Sequence, residues 1–304
     1  MTAKTTWFGG SSRLRSEALW SYALISPWII GFLIWILYPM LASVYYSLTQ
    51  YSLMKPPTFI GTDNFSNLFA DRLFWQSLKV TTLFAVSYVP LSLTFALTLA
   101  LLLNQRIKGL TVFRAAFYLP SVVSGVSISM LWMWAFSNYG FVNGLLRRLG
   151  FQLTSWWTNQ DLALPAMVIY SVWLVGSTMI IFLAVLQAIP RHLYEAAEID
   201  GANSVSQFRH VTLPMLSGTM FFNLVMGLIA AFQTFTGGYV ITKGGPNYAT
   251  LFYNLYLYEN AFTKLKMGYA SAQAWVLFAI ILVLTLVVFR SSAVWVYYEG
   301  EMKK

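Results

Sequence analysis

The chain has only two histidines, His192 and His210, which stand 18 residues apart in one polar stretch, and no cysteine at all. A zinc hydrolase would need a His-Glu-x-x-His pair or its equivalent, and a serine hydrolase of the common kind a Gly-x-Ser-x-Gly turn. Neither motif occurs, nor does a pair of carboxylates inside an apolar segment or a Gly-x4-Gly-Lys-Ser/Thr phosphate loop. Hydrolytic chemistry and nucleotide binding by this chain are therefore poorly supported. What remains is recognition chemistry of two kinds. One is the polar stretch itself, residues 195–214, with Glu195 and Asp200 beside the small residues Ala196, Ala197 and Gly201, ending in Leu213 and Pro214. The other is a scatter of amides, hydroxyls and one indole within apolar segments: Trp173, Ser177, Asn223, Gln233 and Thr234. Polar groups in such segments cost energy, so they either serve a passing solute or bond neighbouring helices.

The apolar segments are the elements that must position these groups. Of the 304 residues, 58% are hydrophobic and 10% charged, with a mean hydropathy of +0.63. A soluble domain carries about 25% charged residues, so the solvent is lipid. Long charge-free runs place spans near 20–48, 78–104, 113–137, 162–188, 213–242 and 268–290. A further run at 244–258 falls below the ~17–25 residues a spanning helix needs. The expected fold is all-α and integral to the membrane, with six transmembrane helices. It divides into a tail at 1–19, a six-span domain at 20–290 holding a polar loop at 190–214, and a tail at 291–304. The polar opening has no clean small-residue cleavage site before the first span, so that span reads as retained.

An even number of spans puts both termini on one side. With the termini in the cytoplasm, 11 Lys and Arg fall inside and 8 outside, the direction that the positive-inside rule favours. The net charge of +9 is then membrane anchoring, and nucleic acid is not implied. Trp and Tyr crowd the span ends, as at Trp20, Tyr45, Trp132, Trp156 and Tyr297, where aromatic belts form.

The polar loop has internal order. Pro190 suits the first turn of a helix. Leu193, Ala196, Ala197 and Asp200 share a helical face, and Gly201 stands where a helix can end in a left-handed residue. Ser204 and Gln207 make a capping box for a second short helix, continued by Phe208 and Val211. Pro214 then opens the fifth span. Ala196 and Ala197 allow close approach by another protein, and Glu195 offers a carboxylate to its Arg or Lys.

This pattern resembles the cytoplasmic EAA coupling loop of bacterial binding-protein-dependent ABC importers. It runs Glu195-Ala-Ala, three residues, Gly201, nine residues, then Val211, one residue, Leu213-Pro214. Further stretches resemble the same family: Gly61-Thr-Asp-Asn-Phe65, Phe113-Arg-Ala-Ala-Phe-Tyr-Leu-Pro120, Leu186-Gln-Ala-Ile-Pro190 and Gly244-Gly-Pro246. They are most similar to the carbohydrate permeases for sn-glycerol 3-phosphate, lactose and oligosaccharides.

The resemblance implies a non-catalytic subunit with the type I importer permease fold, multi-pass in a bacterial or archaeal cytoplasmic membrane. It implies a second permease subunit, two copies of an ATPase docked on the coupling loops, an extracytoplasmic solute-binding protein and a carbohydrate cargo. It implies no cofactor in this chain, with ATP and Mg bound by the ATPase. Glu195, Ala196, Ala197, Asp200, Gly201, Leu213 and Pro214 would form the coupling surface. Trp173, Ser177, Asn223, Gln233 and Thr234 would belong to the substrate pathway, because sugars are held by amide and hydroxyl hydrogen bonds with aromatic stacking. The rival reading is an ion-coupled secondary transporter or a channel. Such carriers place ionisable groups at mid-membrane, and these spans carry none beyond their ends.

Overall fold

A computed structural model describes residues 12–105 and 108–297, with side chains from residue 16 onward. The ends of both tails and Arg106, which enter the charge bias above, lie outside the described residues. Among the described residues, four helical stretches are long and apolar enough to cross a membrane: Ser16–Ser47, Arg72–Leu103, Ser204–Phe232 and Met267–Trp295. Two bent pairs, Leu110–Val122 with Gly125–Ala135 and Ala163–Val172 with Gly176–Ala188, bring the number to six if each pair is one span.

The first stretch is α1 (Ser12–Phe32) and α2 (Tyr38–Ser47), joined by a π-helical turn at Leu33–Leu37. A small antiparallel ribbon follows, β1 (Thr49–Ser52) and β2 (Lys55–Phe59), with Thr49 opposite Phe59. The all-α expectation omits this ribbon. Its Lys-Pro-Pro-Thr-Phe strand has two prolines, which suit an edge strand and give no strand signal from pattern alone. Then come α3 (Asp63–Ala70) and α4 (Arg72–Leu103).

The third span is α5 (Leu110–Val122) and α6 (Gly125–Ala135), bent by 103° at the break. The fourth is α8 (Ala163–Val172) and α9 (Gly176–Ala188), bent by 42°. Between them lies α7 (Phe141–Arg148). Where continuous runs at 113–137 and 162–188 are expected, the chain is therefore broken. The first break follows Pro120, which lies inside α5 and removes a backbone donor. At the second, Gly176 lets α9 pack on α5. A Cβ there would lie 2.6 Å from the Phe117 carbonyl oxygen and 2.9 Å from Tyr118 Cα.

Next come α10 (Arg191–Ile199), α11 (Ser204–Gln207), a π-helical turn at Phe208–Thr212, and α12 (Leu213–Phe232). The chain closes with α13 (Tyr253–Tyr258) and α14 (Met267–Trp295). Helix α4 is the central strut, packing on α8, α9, α12 and α13. It carries two apolar cores. One, near its N-terminal half, gathers Phe74, Phe84, Val89, Met167, Phe252 and Tyr253. The other, near its C-terminal end, gathers Ala96, Leu99, Met179, Phe182, Leu186 and Leu216.

Candidate functional site

The polar loop is a helical hairpin built on the second core. Pro190 is the N-cap of α10. At the other end Gly201 takes φ +77°, the left-handed conformation that suits glycine. The Ala202 amide donates to the Ala197 carbonyl at 2.9 Å, and the Gly201 amide to Glu198 at 3.0 Å. These two bonds make a Schellman cap. Ala197 thus contributes its carbonyl to the turn as well as a small side chain to the surface.

The second helix starts one residue earlier than the capping box predicts. Asn203 is its N-cap, its side chain accepting from the Ser206 amide at 2.9 Å. Gln207 reaches back to the Ala202 carbonyl instead. Nor does Pro214 open a helix. The helix is continuous from Ser204 to Phe232. The π-helical turn before Leu213 re-routes the bonding, with the Leu213 amide donating to the Phe208 carbonyl, in the register where proline lacks its donor.

Glu195, Ala196, Asp200 and Gly201 are exposed, and Ala197, Leu213 and Pro214 are half-buried. Ile199 is 87% exposed and Val205 74%. These two bare aliphatic side chains flank the Gly201 turn. The opposite face is anchored, since Leu193, Tyr194 and Val211 pack against the core of α4 and α9. Tyr194 Oη lies 2.9 Å from Thr212 Oγ1, tying α10 to the base of the second helix.

Deeper in the bundle, α12 ends at Phe232 rather than near 242, and the chain turns through Gln233 and Thr234. The Gln233 carbonyl accepts from Asn254 Nδ2 at 3.0 Å, and Thr234 Oγ1 donates to the Ala230 carbonyl at 3.3 Å. Both residues line a cavity of about 290 Å³ together with Tyr88, Tyr170, Ser171 and Thr236. Its polar lining is hydroxyls and one free amide side chain. Tyr170 Oη is fixed by Ser129 Oγ at 3.0 Å.

The other pathway residues fall elsewhere. Trp173 sits edge to face on Trp132, 5.5 Å between ring centres, outside the cavity lining. Ser177 is exposed on α9. Asn223 is buried and donates to the Thr219 carbonyl at 2.9 Å, within its own helix. Tyr88 and Tyr170, which do line the cavity, were not singled out from sequence. Tyrosines inside charge-free runs were the signal, obscured by the many tyrosines at span ends.

At the far end from the 190–214 hairpin, a polar cleft of about 1180 Å³ lies among the ribbon, α3, α13 and the start of α14. Its rim is organised by Asp71. This carboxylate caps α4 through the Leu73 amide at 2.8 Å and accepts hydroxyl donors from Tyr256 and from Tyr269, the latter at 2.7 Å. Partial burial pushes the Asp71 carboxyl up. The two phenols and the Leu73 and Phe74 amides outweigh it and hold the group below its ordinary 3.8. Burial, with the Asp71 contact, pushes the Tyr256 phenol up to about 12.

Comparison with known proteins agrees with this architecture. Residues 89–297 match the family model of the binding-protein-dependent transport system inner membrane component. The chain is 47% identical to the probable ABC transporter permease protein YesP of Bacillus subtilis (strain 168), over 96% of each chain. It is 31% identical to the probable starch degradation products transport system permease protein AmyD of Thermoanaerobacterium thermosulfurigenes, over 89% of this chain and 93% of that one. In fold it resembles a chain from the crystal structure of a bacterial alginate ABC transporter in complex with alginate pentasaccharide-bound periplasmic protein. The TM-score is 0.81 at 24% identity, covering 91% of this chain and 95% of the other. With its multi-pass bundle and its match over most of the sequence, this chain belongs to the family of binding-protein-dependent transport inner membrane components, the non-catalytic permease subunits of ABC transporters.

Proposed function

We propose that this permease forms half of the translocation pathway of a carbohydrate importer, paired with a second permease subunit and driven by two copies of a separate ATPase that binds ATP and Mg. A solute-binding protein delivers cargo to the end that bears the Asp71 cleft. Both termini and the 190–214 loop lie in the cytoplasm.

The observation that carries this reading is the construction of the loop. Its inward face is anchored in the core, and its outward face presents Glu195, Ala196, Asp200 and Gly201 with Ile199 and Val205 bare beside them. Leu213 and Pro214 connect that surface to the fifth span. A partner that grips this surface moves the bundle, because a capped hairpin transmits displacement where a slack tether would absorb it. ATP-driven closure of the ATPases would draw the hairpins together and rock the pathway between its inward- and outward-open forms.

Carbohydrate as cargo is supported by the lining of the inner cavity, where Gln233, Thr234 and the two tyrosines offer amide, hydroxyl and ring contacts. The cargo in the relatives' names, starch degradation products and alginate, points the same way. Trp173 and Ser177 would contact a solute only when the pathway opens further, and Asn223 serves α12 itself.

The test is purification of the tagged chain from its native membrane with mass spectrometry of its companions. A second permease and an ATPase are expected, and Glu195→Arg should lose the ATPase while retaining the second permease. Recovery of the chain alone, active in transport without ATP, would replace this reading with a secondary carrier or channel.

A further inference from the structure

Helix α7, between the third and fourth spans, takes no part in the coupling loop or the inner cavity. Its orientation is fixed by one residue. Asn143 is fully buried and donates from Nδ2 to the carbonyls of Ser137 at 3.0 Å and Thr154 at 2.8 Å, while its Oδ1 accepts from the Thr154 amide at 3.2 Å. With Asn143 pinned inward and Val142 and Leu146 half-buried beside it, the remaining faces of the helix are set.

On the outward side Phe141, Leu145 and Leu149 follow one another at i, i+4 and i+8, which is a single stripe. They are 68%, 49% and 64% exposed. Phe151 and Leu153 extend the exposed apolar surface past the end of the helix. Arg147 and Arg148 occupy the last turn and are exposed as well, where positive charge complements the helix C-terminus. On α6, just before this segment, Met130 and Trp134 are also exposed, so the helix that leads into α7, part of a candidate span, bares apolar side chains too.

A short helix with one side held to the bundle, one apolar stripe and adjacent guanidinium groups has the make-up of a helix lying in a membrane surface. A soluble partner's docking face would carry a polar rim around its apolar centre. Here exposed apolar side chains also occur on the preceding helix, part of a candidate span, and guanidinium groups stand beside the stripe. Long cationic side chains beside such a stripe reach back to the headgroup level.

We propose that α7 is an interfacial lipid-binding element. Phe141, Leu145 and Leu149 enter the acyl boundary of the leaflet opposite the coupling loop, and Arg147 and Arg148 hold the phosphates of anionic phospholipids. The leaflet assignment rests on the membrane orientation proposed above.

This chain holds no cysteine, so an introduced thiol is its single labelling site, tested in the assembled transporter with any partner cysteines replaced by serine. Leu145→Cys and, as a water-facing control, Gly144→Cys are each labelled with an environment-sensitive fluorophore in phosphatidylcholine nanodiscs, with or without phosphatidylglycerol and with shallow doxyl-lipid quenchers. The label at 145 should be blue-shifted and quenched several-fold more strongly than the label at 144. Phosphatidylglycerol should deepen that quenching. R147Q/R148Q should cut the preference for phosphatidylglycerol on the order of tenfold, from the known attraction per basic residue. A water-exposed label at 145 would overturn the proposal. So would a shielded label that lipid quenchers do not reach, which would mean a protein partner covers the stripe, or an anionic-lipid preference unchanged in R147Q/R148Q. Loss of ATPase co-purification would instead count against the importer reading, and is read on the same samples.

Discussion

The phenol of Tyr194 and the hydroxyl of Thr212 meet at 2.9 Å, across 18 residues of sequence. Tyr194 immediately precedes the exposed Glu195, and Thr212 sits in the π-helical turn at the base of the fifth span. The bond closes the coupling hairpin at its root. Displacement of α10 is thereby shared with α12.

Tyr194→Phe removes the bond and leaves the ring in the apolar core. The expected loss of stability is about 1 kcal/mol, typical of one hydrogen bond. The larger effect should be on coupling, with ATPase docking retained but sugar-stimulated ATP hydrolysis and uptake reduced several-fold. Thr212→Val should give the same phenotype, and the double variant should be no worse than either. Additive losses in the double variant would show that the two groups act separately.

Gly201→Val places a β-branched residue at φ +77°. No neighbouring atom blocks the new side chain, so the cost is backbone strain, about 1–2 kcal/mol. The Schellman cap should open, and ATPase co-purification should fall while membrane insertion is preserved. Gly201→Asn, which tolerates the left-handed region, should retain most of the activity.

Asp71 makes a pH prediction with a definite sign. Its carboxyl is held below its ordinary 3.8, so its contribution is complete above that value and is lost as pH falls through the lower folded-state value. Tyr256 is pushed up to about 12 from 10. Its contribution is complete below pH 10 and disappears between 10 and 12, as the unfolded phenol ionises while the folded one does not. Thermal unfolding in detergent should therefore plateau from about pH 5 to 10 and fall on both sides. In Asp71→Asn the acid limb should flatten, the alkaline loss should still begin near pH 10 but end sooner and be smaller, and stability at neutral pH should drop by about 2 kcal/mol, as for charge-assisted bonds.

Gln233→Ala and Asn223→Ala separate pathway from scaffold. Gln233 faces the inner cavity, so its loss should raise the half-saturating sugar concentration about three- to tenfold, the equivalent of one hydrogen bond. Asn223 bonds within its own helix, and its replacement should leave that concentration unchanged. Uptake titrations in proteoliposomes distinguish the two.

Apolar runs located the first, second and last spans to within several residues, because lipid imposes length and composition on a helix, but they set the fifth too far along the chain at both ends. They did not locate the breaks. The bend after Val122 and the stop at Phe232 lie inside charge-free sequence, where only packing against other helices decides the path. The coupling hairpin was legible because its signals are local: Pro190, Gly201 and the small pair Ala196 and Ala197. Even there the cap fell on Asn203 rather than Ser204, and Tyr194 with Thr212 carried no signal, since their meeting depends on the hairpin already being folded. Asp71 illustrates the general limit. Its phenol partners stand 185 and 198 residues away, a distance no local pattern spans. The inner cavity was half visible, with Gln233 and Thr234 identified but Tyr88 and Tyr170 lost among the belt aromatics.

The unbroken helix from Ser204 to Phe232 has 29 residues and so is about 44 Å long at 1.5 Å per residue. It acts as a lever arm whose short end carries the Gly201 turn and whose long end stops at Gln233. A tilt of roughly 10° about its Ser204 end would sweep the far end through about 8 Å at that length. Such a throw is enough to reshape a cavity the size of the one lined by Gln233 and Thr234. In the importer proposed above, the same geometry would set a gear ratio between nucleotide-driven closure and pathway opening. Inserting residues into the arm should alter stroke length and transport stoichiometry together.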